Sequence, residues 1–142
     1  MNLYADSSAL AKLILNEPGE AEIFAAVRAS DRTLSSAVTY VELRAALAVA
    51  LRNGRMPVAE REPRLAHLET LWSRMVQVPL STPLLRRAGN VADAFGLRGY
   101  DAVQLTSLQS AGDPDDILFA CWDRALRRAA GGLGYELVPT LL

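Results

Sequence analysis

Asn2-Leu3-Tyr4-Ala5-Asp6-Ser7-Ser8-Ala9-Leu10 is the stretch on which the fold turns. A short apolar run ends at Asp6, and a helix-like pattern of small and apolar residues starts at once. The expected strand Asn2–Ala5 therefore runs straight into an expected helix, Ser7–Leu15. The same change of pattern recurs near the other end, where Ile117–Cys121 reads as a strand and Asp123–Ala130 as a helix stopped by Gly131-Gly132.

Between these two junctions, helical stretches dominate. Asn16-Glu17-Pro18-Gly19 is a turn signal ahead of a helix over Gly19–Ala29. Arg32–Ser35 and Val76–Pro79 are short strand candidates. Helices are expected over Ala37–Arg52, over Pro63–Met75 with an apolar stripe of Leu65, Leu68, Leu71, Trp72 and Met75, over Thr82–Phe95 and over Asp101–Ser110. Tyr135–Val138 is a last strand. Strands separated by helices need crossover connections, hence a parallel sheet. Their apolar runs do not alternate with polar residues, as expected where both sheet faces are covered. The expected architecture is α/β: a central parallel sheet of four to five short strands flanked by helices, in one domain over residues 1–142.

Composition narrows the function. Of 142 residues, 15 are Lys or Arg and 16 Asp or Glu, for a net charge of −1. No global basic field draws in nucleic acid, so any such contact must come from a local patch or a bound cation. Cys121 is the only cysteine, which excludes an internal disulfide and a paired-cysteine zinc motif. A hard metal held by carboxylates is the metal option that survives. Asp6 arrives before any long apolar run, so no signal peptide, no membrane span and a cytoplasmic location are expected.

In an open parallel sheet, ligands bind at the carboxyl ends of the strands. Asp6 and Asp123 fall at such strand-to-helix junctions, and Asp101 opens the helix Asp101-Ala102-Val103-Gln104-Leu105 after Gly99. Each alone is equally explained as a helix N-cap, worth about 1 kcal/mol; their joint placement on one rim is the signal. Glu42 differs. In Ala37–Arg52 the only charges are Glu42, Arg44 and Arg52. Val38, Val41, Ala45 and Val49 lie within about 80° around the axis, and Glu42 falls at the edge of that stripe, expected to face the core. A carboxylate there is costly unless paired. The alternative is a capping box, Thr39-x-x-Glu42, in a helix beginning at Thr39.

Clustered acids raise one another's pKa, and a divalent cation reverses that penalty. Mg²⁺ or Mn²⁺ prefers such oxygen ligands, can activate water and can stabilise charge on a phosphate. This chemistry needs no His, Cys or Ser nucleophile, which suits a chain whose one histidine, His67, lies on a helix beside Arg64.

Four stretches, Tyr4-Ala5-Asp6-Ser7-Ser8-Ala9-Leu10, Val41-Glu42-Leu43-Arg44-Ala45-Ala46-Leu47, Tyr100-Asp101-Ala102-Val103-Gln104-Leu105 and Phe119-Ala120-Cys121-Trp122-Asp123, resemble the PIN-domain family. In order and separation they are similar to the VapC-type toxins of bacterial toxin–antitoxin pairs, over essentially the whole chain. The resemblance implies a metal-dependent endoribonuclease that hydrolyses RNA with metal-activated water. It implies Asp6 and Asp101 as principal ligands of Mg²⁺ or Mn²⁺, completed by Glu42 and Asp123, with Ser8 accessory. It also implies a VapB-type antitoxin as partner. The Cys121-Trp122 pair before Asp123 is less typical, since a smaller polar residue often sits near there.

Arg98 and Arg124 flank the expected rim as phosphate donors, whereas Arg127 and Arg128 are expected on a solvated helix face. Cys121 is expected to be a buried structural thiol. Apolar faces around Val49–Leu51 and Leu65–Trp72 exceed what one small core absorbs, and suggest pairing with a second copy or an antitoxin helix. Two other readings stay open: a PIN-fold RNA-binding or regulatory module without catalysis, and a phosphotransferase with an aspartyl nucleophile. Ser8 stands where the latter usually places its second acid.

Overall fold

The computed structural model describes residues 1–142. Five strands, β1 (Asn2–Ala5), β2 (Thr33–Ser36), β3 (Val76–Val78), β4 (Ile117–Ala120) and β5 (Leu137–Val138), form one sheet in the order β3-β2-β1-β4-β5. Every pairing is parallel, with Tyr4 opposite Leu34 on one side and Phe119 on the other. The expected parallel α/β sheet is therefore present, with five strands.

Seven helices cover it: α1 (Ser7–Leu15), α2 (Glu20–Ala29), α3 (Val38–Arg52), α4 (Arg61–Ser73), α5 (Thr82–Phe95), α6 (Gly99–Ala111) and α7 (Arg124–Gly132), with one 3₁₀ turn at Val58–Glu60. Successive strand residues point to opposite faces, and the core divides accordingly. Leu3, Ala5 and Ala120 pack with Leu10, Ile14, Leu43 and Leu68 on one face. Tyr4, Phe119 and Ile117 pack with Leu105, Leu108 and Leu126 on the other. Both faces are dry, which is why β1 and β4 carry almost no polar residue.

Three sequence expectations change. The buried side of α3 is Thr39, Leu43, Leu47 and Ala50, while Val41 is 64% exposed. The valine stripe faces away: each leucine carries more apolar area than a valine or an alanine, and Thr39 on the leucine face is held by hydrogen bonds from Ser35 and Gln104. Asp101 does not open α6. The helix starts at Gly99 with Arg98 as its N-cap residue, leaving Asp101 as its third residue, within the first turn. Pro63 does not restart a helix either; it lies in the first turn of α4, where its missing N–H has no partner to lose.

The chain order places the crevice. After β1 the sheet grows through β2 to β3, and β4 then returns to the other side of β1. Strand order thus reverses between β1 and β4, and Asp6 and Asp123 follow those two strands at their carboxyl ends. Gly19 tightens the neighbouring turn. Its φ is +103°, and a Cβ there would meet Lys12 Cδ at 2.7 Å and Trp122 Cζ2 at 2.9 Å.

Candidate active site

Asp6 is 3% exposed at the end of β1. Its Oδ1 accepts the Ala9 N–H at 3.0 Å, capping α1, and the Ser8 hydroxyl at 2.7 Å. The Cys121 thiol donates to Oδ2 at 3.1 Å. All three donors are neutral. Burial raises the pKa of the Asp6 carboxyl, these donors pull it back in part and the charge of Glu42 raises it again, leaving it at about 6.

Glu42 projects from α3 toward the same rim and is half-buried. Gln104 Nε2 donates to Oε1 at 2.8 Å and the Ser7 hydroxyl to Oε2 at 3.0 Å. Burial raises its pKa, the two hydrogen bonds lower it, and Asp101 raises it again. The capping-box alternative fails: Ala37 is the N-cap residue and Thr39 faces inward. Gln104 also donates to Thr39 Oγ1 at 2.8 Å and accepts the Tyr4 hydroxyl at 2.6 Å. Ser35 Oγ donates to the Ala5 carbonyl at 2.6 Å and shares a hydrogen bond with Thr39 Oγ1 at 2.7 Å. A buried polar chain thus ties β1, β2, α3 and α6 together beneath Glu42. Tyr4, Ser7 and Gln104 had no assigned role from sequence, and Thr39 had only that of the capping alternative. Gln104 alone signalled itself, as the one amide inside Ala102–Leu105.

Asp101 lies on α6, where a carboxylate in the first turn complements the helix dipole. Asp123 caps α7, accepting the Leu126 N–H at 2.9 Å. Arg98 stands between them, with Nε 3.2 Å from Asp101 Oδ2 and a terminal nitrogen 3.8 Å from Asp123 Oδ2. Its side chain is 83% exposed, so it can swing outward without unpacking anything. Arg124 is exposed and faces no acid at ion-pair distance. Ser8 joins the two junctions: besides donating to Asp6 it accepts the Trp122 N–H at 2.8 Å.

Arg127 departs from its expected solvated face. It is buried and donates to the carbonyls of Cys121 (2.8 Å), Pro139 (2.7 Å) and Thr140 (3.3 Å), fastening the C-terminal segment. Arg128 and His67 are exposed, as expected. Cys121 is buried, as expected, yet its thiol touches Asp6. Desolvation and the Asp6 charge push that thiol's pKa well up, so it is no nucleophile.

Glu42 and Asp101 line one cleft of about 540 Å³ with Arg98, Gly99, Tyr100 and Val103. No three Asp, Glu, His or Cys side chains already stand close enough to grip an ion together. The donor set nevertheless fits a hard divalent cation. It offers carboxylate oxygens, one of them on a buried acid with no cationic partner, and the arginine beside the other two is free to leave. The apolar surfaces expected to seek a partner are partly satisfied, since Leu51, Leu65, Leu71 and Trp72 pack against the core. An open groove of about 320 Å³ remains between α3 and α4, lined by Val41, Ala45, Ala48, Leu51 and Leu65. No helix is long and apolar enough to cross a membrane.

Known proteins resemble this chain in sequence and fold. Two relatives from Mycobacterium tuberculosis, Ribonuclease VapC45 of strain CDC 1551 / Oshkosh and Ribonuclease VapC49 of strain H37Rv, are each 37% identical over 140 residues, spanning 99% of this chain and 96% of the relative. Among solved structures, PAE2754 from Pyrobaculum aerophilum has a TM-score of 0.70 at 24% identity, covering 99% of this chain and 86% of its own. FitAcB from Neisseria gonorrhoeae has a TM-score of 0.63 at 14% identity, covering 95% of each chain. Those two likenesses concern the fold. The family described as PIN domain matches residues 3–132, nearly the whole sheet and all seven helices, and the chain belongs to that family.

Proposed function

We infer that this chain is an endoribonuclease, the toxin of a VapBC-type toxin–antitoxin pair, acting in the cytoplasm as a single PIN domain over residues 1–142. The observation that carries the chemistry is Asp6: a buried carboxylate on neutral donors only, at the sheet's switch point, with Glu42 close enough to raise its pKa. The two 37% identical relatives named as ribonucleases support RNA as the substrate.

Asp6, Glu42, Asp101 and Asp123 would hold Mg²⁺ or Mn²⁺. When bound, such a cation supplies an acidified water and counter-charge for the phosphate. The chain's own residues do the rest. Ser8, Ala9 N–H and Cys121 fix the Asp6 carboxylate, and Gln104 and Ser7 fix that of Glu42, so neither acid reorganises during the reaction. Arg98 leaves the acids to pair with a substrate phosphate, where its planar fork suits two oxygens. Arg124, exposed at the start of α7, adds a second phosphate contact. The groove between α3 and α4, with Arg44 and Arg61 at its rim, offers an apolar seat for an antitoxin helix or a second copy in a homodimer.

The test is cleavage of single-stranded and structured RNA by protein freed of antitoxin, with Mg²⁺, with Mn²⁺ and with chelator. Chelator-sensitive cleavage lost in Asp101→Asn is expected. RNA binding that persists in chelator without cleavage would assign the chain to the non-catalytic reading instead.

A further inference from the structure

Tyr100 has no structural employment. It is the most exposed aromatic residue of the chain, at 66%. Its hydroxyl makes no hydrogen bond within the chain, and no aromatic ring or cation covers its faces. Of the other surface aromatics, Phe24 lies under the Arg28 guanidinium at 5.9 Å, Tyr40 packs on Trp72 with ring centroids 5.6 Å apart, and Phe95, 40% exposed at the end of α5, lies outside this cleft. Tyr100 sits on the first turn of α6, one residue from Asp101 and two from Arg98, and lines the same 540 Å³ cleft as both. Its neighbour Gly99 has open space where a Cβ would be, so nothing bulky stands at that side of the approach.

A chain of net charge −1 with acids in its cleft cannot recruit a polyanion by its overall field. Affinity must come from local contacts: a bound cation and Arg98 and Arg124 for the phosphates, together with contacts that do not depend on charge. An open aromatic face is the main one of that kind, because every nucleobase has a π-face to lay on it. We propose that Tyr100 is a substrate-binding residue: its ring stacks on a nucleobase adjoining the phosphate that Arg98 and the Glu42–Asp101 cleft receive, so that the site takes single-stranded RNA. Bases inside a duplex have both faces covered and cannot make this contact. The assignment rests on the ribonuclease reading for its substrate.

The probe is a single-stranded oligoribonucleotide carrying 2-aminopurine at one position at a time, bound to the full chain with and without Mg²⁺. Fluorescence quenching at one or two adjoining positions is expected in wild type and in Tyr100→Phe, and is lost in Tyr100→Ala. Binding by Tyr100→Ala weakens roughly 5- to 150-fold, a stacked base being worth about 1–3 kcal/mol at 1.4 kcal/mol per tenfold. In cleavage assays the loss falls mainly on KM, and an abasic nucleotide at the quenched position erases the difference between Tyr100→Ala and wild type. Annealing the complementary strand removes the dependence on Tyr100. Equal quenching in Tyr100→Ala, no quenching at any position in wild type, or equal losses in Tyr100→Phe and Tyr100→Ala each overturn the proposal. Quenching without any chelator-sensitive cleavage leaves the stacking contact standing and removes the nuclease reading.

Discussion

Two charges are buried in this molecule, a few residues apart in the fold and opposite in treatment. Arg127 is 7% exposed and meets three carbonyl oxygens, from Cys121, Pro139 and Thr140. Asp6 is 3% exposed and meets only a hydroxyl, a thiol and one N–H. The cation is enclosed by acceptors that match its donors and hold down the tail. The anion is left with a raised pKa beside another acid and an open cleft. A fully served buried charge belongs to stability. An underserved one, at the crevice where parallel sheets bind ligands, is the candidate for function.

The sharpest way to break that contrast is Asp6→Asn. If Asp6 serves catalysis, RNA cleavage falls about a thousandfold or more, the equivalent of roughly 4 kcal/mol of lost transition-state stabilisation. The metal-free protein, relieved of a buried charge, should meanwhile melt higher than wild type at pH 7. A variant that loses both stability and activity would make Asp6 a structural cap and nothing more. Arg127→Ala is expected to do the reverse. It strands three carbonyls and should cost about 3 kcal/mol, roughly 6–12 °C in melting temperature for a chain of this size. Arg127→Lys recovers only part of that, since one ammonium cannot reproduce the planar fork. Cleavage by the folded fraction remains chelator-sensitive.

The pH dependence tests the same difference more finely. Asp6 has an ordinary carboxyl pKa when unfolded and about 6 when folded. Between those values the folded state holds the extra proton, so stability falls as pH rises from about 4 to about 6. Two pKa units amount to roughly 3 kcal/mol. Glu42 shifts in the same direction and adds to the slope. Asp31, paired with the N-terminal amine, shifts the opposite way, so the clean quantity is wild type minus Asp6→Asn. Urea midpoints of the two metal-free proteins should converge near pH 4 and separate above pH 6. Parallel curves would mean that the buried carboxylate is not carrying its charge at a cost. Saturating Mg²⁺ should restore wild type alone.

Much of the fold was legible because it is local. Each of β1 and β4 is one apolar run ending within two or three residues of an aspartate, and the change of period at Asp6 and Asp123 marks the rim without any knowledge of the third dimension. Glu42 shows the limit. Its helix is apolar nearly all round, so periodicity admitted two stripes; the leucine face won, and Glu42 proved to rest on a polar chain through Gln104 and Thr39 that no stripe predicts. Asp101 was placed on the right helix but given a capping role that Arg98 occupies. Arg127 could not be read at all. All three of its acceptors are backbone carbonyls, two of them at residues 139 and 140, and a carbonyl has no signature in sequence. The Cys121 contact with Asp6 spans 115 positions and is equally silent.

Ser8 offers the smallest and most specific test, because it sits where the two junctions touch. Its hydroxyl donates to Asp6 at 2.7 Å and accepts the Trp122 N–H at 2.8 Å, so Ser8→Ala removes one donor from the carboxylate and one acceptor from β4's exit. The cost in stability should be about 1–2 kcal/mol, most of it from the Trp122 N–H left without a partner. The electrostatic consequence has a definite sign. The Ser8 hydrogen bond lowers the Asp6 pKa, so its loss must move the folded-state titration above about 6, observable as the carboxyl carbon shift of Asp6 in metal-free protein. An unchanged midpoint would mean that water takes the hydroxyl's place, and a buried carboxylate that water can reach so easily would not need a cation to complete it.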